Sequence, residues 1–159
     1  MVHDRGTSIL LGRPLAIAPS DSNTPHPTRG NLSDFSEHFL LSHPIADIQA
    51  DIINSLYSPS KQSGDALVRH ATRIIKSMVE FRKRLPESYQ YYFTGTDDWP
   101  MEKKIKLVHD ITEDQGLTLL KIGISRILLL RALFISRELT YAQRHKALVD
   151  GLLHLVLML

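Results

Sequence analysis

The sequence predicts an all-α protein, and three observations predict it. Apolar residues recur every three or four positions over long stretches, the spacing that puts them on one helix face. No segment alternates apolar and polar residues convincingly enough to read as a half-buried strand. Proline, glycine and serine clusters punctuate the chain between the periodic segments. A length of 159 residues suits one domain with a real core. The expected architecture is about four helices in a bundle or irregular array, preceded by a Pro-rich extended arm.

The arm comes first. Residues 18 to 34 are rich in Pro, Ser, Asn, Thr and Asp. Pro14, Pro19, Pro25 and Pro27 each fix φ, remove a backbone donor and turn the preceding residue away from helix. Residues 1–34 are therefore read as one extended arm.

From Phe35 the pattern turns helical. Ile45, Ile48, Ile52 and Leu56 make the first stripe. Ser42 is a candidate cap with Pro44 in the first turn. A longer helix from near Ser36, bent at Pro44, is the alternative. The second helix has the clearest pattern. Leu67, Ala71, Ile74, Met78, Phe81 and Leu85 line one face, Val68 and Ile75 widen it, and Pro86 stops it.

Residues 87 to 100 gather Tyr89, Tyr91, Tyr92, Phe93 and Trp99, punctuated by Gly95 and Pro100. Several of these rings are expected to fold back as a lid on the core. A pocket between helices beneath that loop is the alternative. A third helical region starts between Met101 and Thr112 and reaches about Phe134. It is so apolar from Leu117 to Phe134 that burial on most sides is expected. The last helix starts near Thr140, a plausible cap, with Leu148, Leu152, Leu155, Val156 and Leu159 on its face. It stops in mid-pattern, and the expectation is that a longer fold has been cut.

Composition excludes several chemistries. With no cysteine there is no disulfide, thiol nucleophile or thiolate metal site. A formal charge of +2 gives little support to sequence-independent DNA binding. Lys121, Arg126 and Arg131 interrupt the longest apolar runs, so no membrane span is expected. The eight histidines include no His pair four residues apart. There is no nucleophile elbow and no phosphate loop. Gly95-Thr96-Asp97-Asp98 reads as a turn and not as a carboxylate pair at work. Arg126, Arg131, Arg137, Arg144 and Lys146 form either a nucleic-acid patch or, more simply, a solvated helix face. No catalytic, cofactor-binding or metal-ligating residue is assigned.

One segment does carry a signature. Asp4-Arg5-Gly6-Thr7-Ser8, followed by Leu11-Gly12-Arg13-Pro14-Leu15-Ala16-Ile17, resembles a motif of the middle homology regulatory domain of fungal zinc-cluster transcription factors. Further matches follow in the family's order: Leu56-Tyr57-Ser58-Pro59, Phe81 to Pro86, and the Leu-rich run from Leu119 to Phe134. Ala132 stands where the family usually has Pro. The acidic loop, the upstream helices and a Trp before the Asp-Arg are reduced or missing.

The resemblance therefore covers the later part of that domain, with residues 35–159 as its helical part. It implies a regulator of transcription in the nucleus, not an enzyme, working through intramolecular, coregulator or effector contacts. Its partners would be proteins, the rest of a longer factor, or other copies as a homo- or hetero-oligomer. DNA would be reached only through a separate module whose six cysteines hold zinc, and this chain holds none of them. The signature residues Asp4, Arg5, Ser8, Gly12, Arg13 and Pro14 are read as fold residues. In particular, the Arg13 fork is expected to pair with a carboxylate such as Asp4 and lock the loop onto the helices. Two other readings stay open: a free-standing helical module that binds a full-length relative through Leu152 to Leu159, and a small-molecule-binding protein or enzyme.

Overall fold

A computed structural model describes residues 2–17, 21, 37–58 and 61–156, with the backbone alone for residues 2 and 150–156. Among them every regular element is helical. Seven helices replace the expected four or so: α1 (Val2–Leu11), α2 (Glu37–Leu56), α3 (Gly64–Lys83), α4 (Tyr91–Thr94), α5 (Met101–Asp110), α6 (Glu113–Ile135) and α7 (Tyr141–Val156). A 3₁₀ turn, Glu87–Tyr89, precedes α4. The four long helices close a ring, with α2 against α3, α3 against α7, α7 against α6 and α6 against α2. α1 packs on the outside of α2.

The expected stripe of α3 is the heart of this ring. Leu67, Ala71, Ile74, Met78, Phe81 and Leu85 are all buried. Ile52 of α2, Leu129 and Leu133 of α6 and Ala147 of α7 meet the first four of them in one cluster. Phe81 and Leu85 belong to a second cluster with Ile45, Tyr89, Leu119 and Ile122. The stripe works because α3 has neighbours on one side only and a polar outer face in water.

Local chemistry fixes the helix ends. Ser63 caps α3 by accepting from the Ala66 N–H at 3.2 Å. Thr112 caps α6 in a capping box: its hydroxyl accepts from Gln115 N–H and its own N–H donates to Gln115 Oε1, both at 3.2 Å. That box splits the third helical region in two, so α5 is separate from α6. Thr140 and Gln143 repeat the arrangement at the start of α7, at 3.0 and 3.2 Å.

Three expectations are corrected. The arm is not extended throughout, because Val2–Leu11 is helical; its stretch from 18 to 34, apart from Asp21, lies outside the described residues. Ser42 is not a cap: α2 starts at Glu37 and carries Pro44 inside, which agrees in extent with the longer of the two readings. The third correction concerns α6. Thr118, Leu119, Ile122, Ser125, Leu129, Ala132 and Leu133 are buried, but Leu120 is 60% exposed, Ile127 65% and Phe134 67%. A helix at the edge of a four-membered ring has two neighbours, which cover one side only.

The first turn of α3 is tightly seated. A Cβ at Gly64 would lie 2.6 Å from the Glu138 carbonyl oxygen and 3.0 Å from Gln143 Oε1. Alanine there improves helix propensity by at most about 1 kcal/mol. The backbone clash is the larger effect, so Gly64→Ala is expected to destabilise by about 1–3 kcal/mol. Urea denaturation checks this, and a gain in stability would refute the close approach.

Candidate functional site

The signature residues come together at the end of α1. Gly12 adopts φ +60°, a left-handed conformation that glycine enters without strain. Its N–H donates to the Ile9 carbonyl at 3.4 Å, and Arg13 N–H to the Ser8 carbonyl at 3.0 Å. This double bond pattern is a Schellman end, which turns the chain back along the helix. Ser8 is buried, and its hydroxyl donates to the Pro14 carbonyl at 3.2 Å. Asp4 Oδ1 accepts from Ala16 N–H at 3.2 Å, and Oδ2 from Ile17 N–H at 3.3 Å.

The lock is made by Arg5 and not by Arg13. Arg5 is 1% exposed; its Nη1 donates to Asp4 Oδ2 at 3.1 Å and to the Ile17 carbonyl at 3.2 Å. Its Nη2 is buried without a hydrogen-bond partner. Arg13 is exposed. The correction has a geometric cause. The Schellman turn folds residues 14–17 back over the first turn of α1, so the carboxylate of Asp4 is consumed by their N–H groups and by its sequence neighbour.

Arg13 instead stands on the rim of a groove between this turn, the end of α2 and the later half of α6, where Arg131 also sits. Ile9, Pro14, Ile53 and Leu128 supply the apolar part of its lining. Tyr57 closes one wall, its hydroxyl donating to the Leu128 carbonyl at 2.9 Å. Burial raises the Tyr57 pKa, partly countered by Arg131, so the phenol is neutral at pH 7. Arg131 belongs by sequence to a basic patch on the last helices, and nothing in the sequence signals that it lines a groove together with Arg13.

The rest of that basic patch is dispersed. Arg126 lies over the Tyr92 ring, 5.9 Å from its centroid. Arg144 Nη2 donates to the Ser136 carbonyl at 2.6 Å, just past the end of α6. The aromatic loop packs on the core: Tyr89 is fully buried, and Tyr91, Tyr92 and Phe93 lean on its cluster. A narrow apolar crevice runs under Phe93, lined by Ile45, Met78, Phe81 and Ile122. Asp97 and Asp98 are exposed in a turn. Among the described residues no three His, Asp or Glu side chains converge as metal ligands.

A polar chain crosses the α2–α6 interface. Thr118 hydroxyl donates to the Asp114 carbonyl at 2.9 Å and so accepts from His38 Nδ1–H at 2.9 Å. That fixes the tautomer, leaving His38 Nε2 to accept from the Ser42 hydroxyl at 3.2 Å. Ser42 in turn accepts from Lys121 Nζ at 2.8 Å. Serine, histidine and lysine in a row suggest nucleophilic chemistry, but Ser42 is buried between helices and lines neither the groove beside the signature turn nor the crevice under Phe93. The chain satisfies polar groups within a helix interface.

Burial lowers the His38 pKa, Lys121 lowers it further and Asp114 opposes them. The folded state thus binds this proton less readily than the unfolded chain. The stability that neutral His38 confers is complete above about pH 6.5 and is lost as pH falls through the folded-state value. Protonation also destroys the acceptor that Ser42 needs. His38→Gln, measured by denaturation from about pH 7 to about pH 5, is expected to flatten this slope. An unchanged slope would place the proton elsewhere.

No family model, curated protein or solved structure matches the chain.

Proposed function

We propose that this chain is a regulatory domain of the fungal zinc-cluster transcription factor type, acting in the nucleus through protein contacts. The signature resemblance supports the family, and one structural observation carries the mode of action: the uncovered face of α6. Leu117, Leu120, Ile124, Ile127 and Phe134 follow one another at steps of three, four, three and seven, with Arg131 filling the remaining step. This is the seam spacing of helix-to-helix packing. Leu117, Leu120, Ile127 and Phe134 are all exposed, and an apolar strip of that kind marks a protein contact. Its occupant in this reading is an apolar helix of like spacing from the rest of a longer regulator.

DNA and zinc belong, in this reading, to a separate module, and no residue here is assigned to catalysis or to a cofactor. Among the described residues no helix is long and apolar enough to cross a membrane. The test fuses the chain to a heterologous DNA-binding module in a fungal reporter strain and compares it with Leu120→Glu/Ile127→Glu. Both side chains point to solvent, so stability should change by no more than about 0.5 kcal/mol per site. The regulatory effect should be lost. An effect that survives the double change, or a fusion with no effect on transcription, would refute the reading.

A free-standing modulator of a full-length relative is the second reading. The same strip favours it, since a seam that suits a relative's helix suits a second copy too. The face proposed for it from sequence, Leu152 to Leu159, lies outside the described side chains. Sedimentation equilibrium separates the two: self-association abolished by Leu120→Glu supports the modulator.

A further inference from the structure

We propose that the groove beside the signature turn binds a small amphipathic carboxylate, its acid group held between Arg13 and Arg131. This does not rest on the regulatory reading, because it uses only the groove. Arg13 arrives from the Schellman turn and Arg131 from α6, and both line the same opening. Neither makes an ion pair among the described residues. Among the described residues no Asp or Glu lines the groove. Each arginine brings a positive charge to the lining, and an anion in the groove is attracted to both. Their planar forks match a carboxylate in two-bond geometry.

The apolar part of the lining decides what else the ligand carries. Ile9 and Pro14 come from the turn, Ile53 from α2 and Leu128 from α6, with the Tyr57 ring as the wall between. The Tyr57 hydroxyl is committed to the Leu128 carbonyl, so it presents its ring and not a hydrogen bond. A simple inorganic anion would leave that surface unused. A linear or branched aliphatic acid uses both parts. The groove has a volume of about 490 Å³, a size suited to a small molecule. Two cations on a nearly neutral chain are too few for a nucleic-acid backbone.

Two helices and the signature turn meet at this opening. An occupant would therefore tie the turn to α2 and α6. That gives the signature a second role beside its internal lock, since Gly12 and Ser8 shape the wall that carries Arg13.

The test is calorimetric titration of the full chain with octanoate, and with 1-octanol as the neutral isostere. The variants are Arg13→Gln, Arg131→Gln and, away from the groove, Arg137→Gln. Octanoate should bind the unaltered chain and raise its melting temperature. Each groove change should weaken octanoate by about tenfold and leave octanol unaffected, and Arg137→Gln should do nothing. Both groove arginines are exposed, so folding should survive. Should Arg131→Gln unfold, Arg13→Gln alone decides. Octanoate that fails to bind at millimolar concentration overturns the proposal. So does equal loss with Arg137→Gln, or octanol binding as tightly as octanoate. Loss of octanoate binding in Arg13→Gln, which lies outside the α6 strip, with the reporter effect intact separates this site from the α6 surface.

Discussion

Replacing Ile74 by alanine lowers the free energy of unfolding by about 2–5 kcal/mol. Ile74 is fully buried in the middle of α3. Its cluster draws on α2 through Ile52, on α6 through Leu129 and Leu133, and on α7 through Ala147. A cavity left there is bounded by four helices that already contact one another in a ring. Collapse onto it would require moving whole helices, so the cavity contribution persists beside the lost transfer energy. Val68, on the flank of the same stripe, is only half-buried, and Val68→Ala should cost distinctly less. Urea denaturation followed by far-ultraviolet circular dichroism measures both. For a chain of this length, each kcal/mol lowers the melting temperature by roughly 2–4 °C. A loss below about 0.5 kcal/mol at Ile74 would mean that this stripe is not the core.

The second large effect is expected at Asp4. Arg5 keeps a guanidinium almost wholly out of water, and the Asp4 carboxylate is the charge that faces it. Asp4→Ala strands that cation, a change that costs about 3–5 kcal/mol in buried pairs. It also frees the N–H groups of Ala16 and Ile17. The observable loss has a ceiling, because α1 lies on the outside of α2 and can detach before the ring unfolds. Amide exchange in α1 must therefore accompany global denaturation, and exchange there should accelerate more than in α3. Changing both partners removes the stranded charge, so Asp4→Ala/Arg5→Met should recover much of the loss. A single Asp4→Ala variant with unaltered exchange in α1 and a loss below about 1 kcal/mol would refute the lock.

These two predictions differ in how far the sequence foretold them. The α3 stripe was legible because helical periodicity is a property of one segment. Six apolar residues at steps of four, three, four, three and four can share only one face, whatever surrounds them. The same holds for the all-helical class, the Thr140 cap and the stop at Pro86. The lock was half legible: Asp4, Arg5, Ser8, Gly12, Arg13 and Pro14 were singled out, but the pairing was assigned to the wrong arginine. Pairing depends on where the chain folds back, and the reversal at Gly12 directs residues 16 and 17 onto Asp4.

Other features were decided by the tertiary structure alone. The residues of α6 are apolar nearly all round, which by itself says burial, yet half of its surface faces water. The number of neighbouring helices sets how much of a helix is covered, and that number is not written in its periodicity. Ser42 stands where a cap before Pro44 could stand, yet the packing of α2 on α6 makes it a link between Lys121 and His38. The groove arginines come from opposite ends of the chain. The sequence by itself determined which segments are helical and which faces are apolar, because those follow from backbone geometry over a few residues. Only the tertiary structure decided which apolar face stays open, which arginine is buried and which two arginines line one groove, because each depends on contacts between segments far apart in the chain.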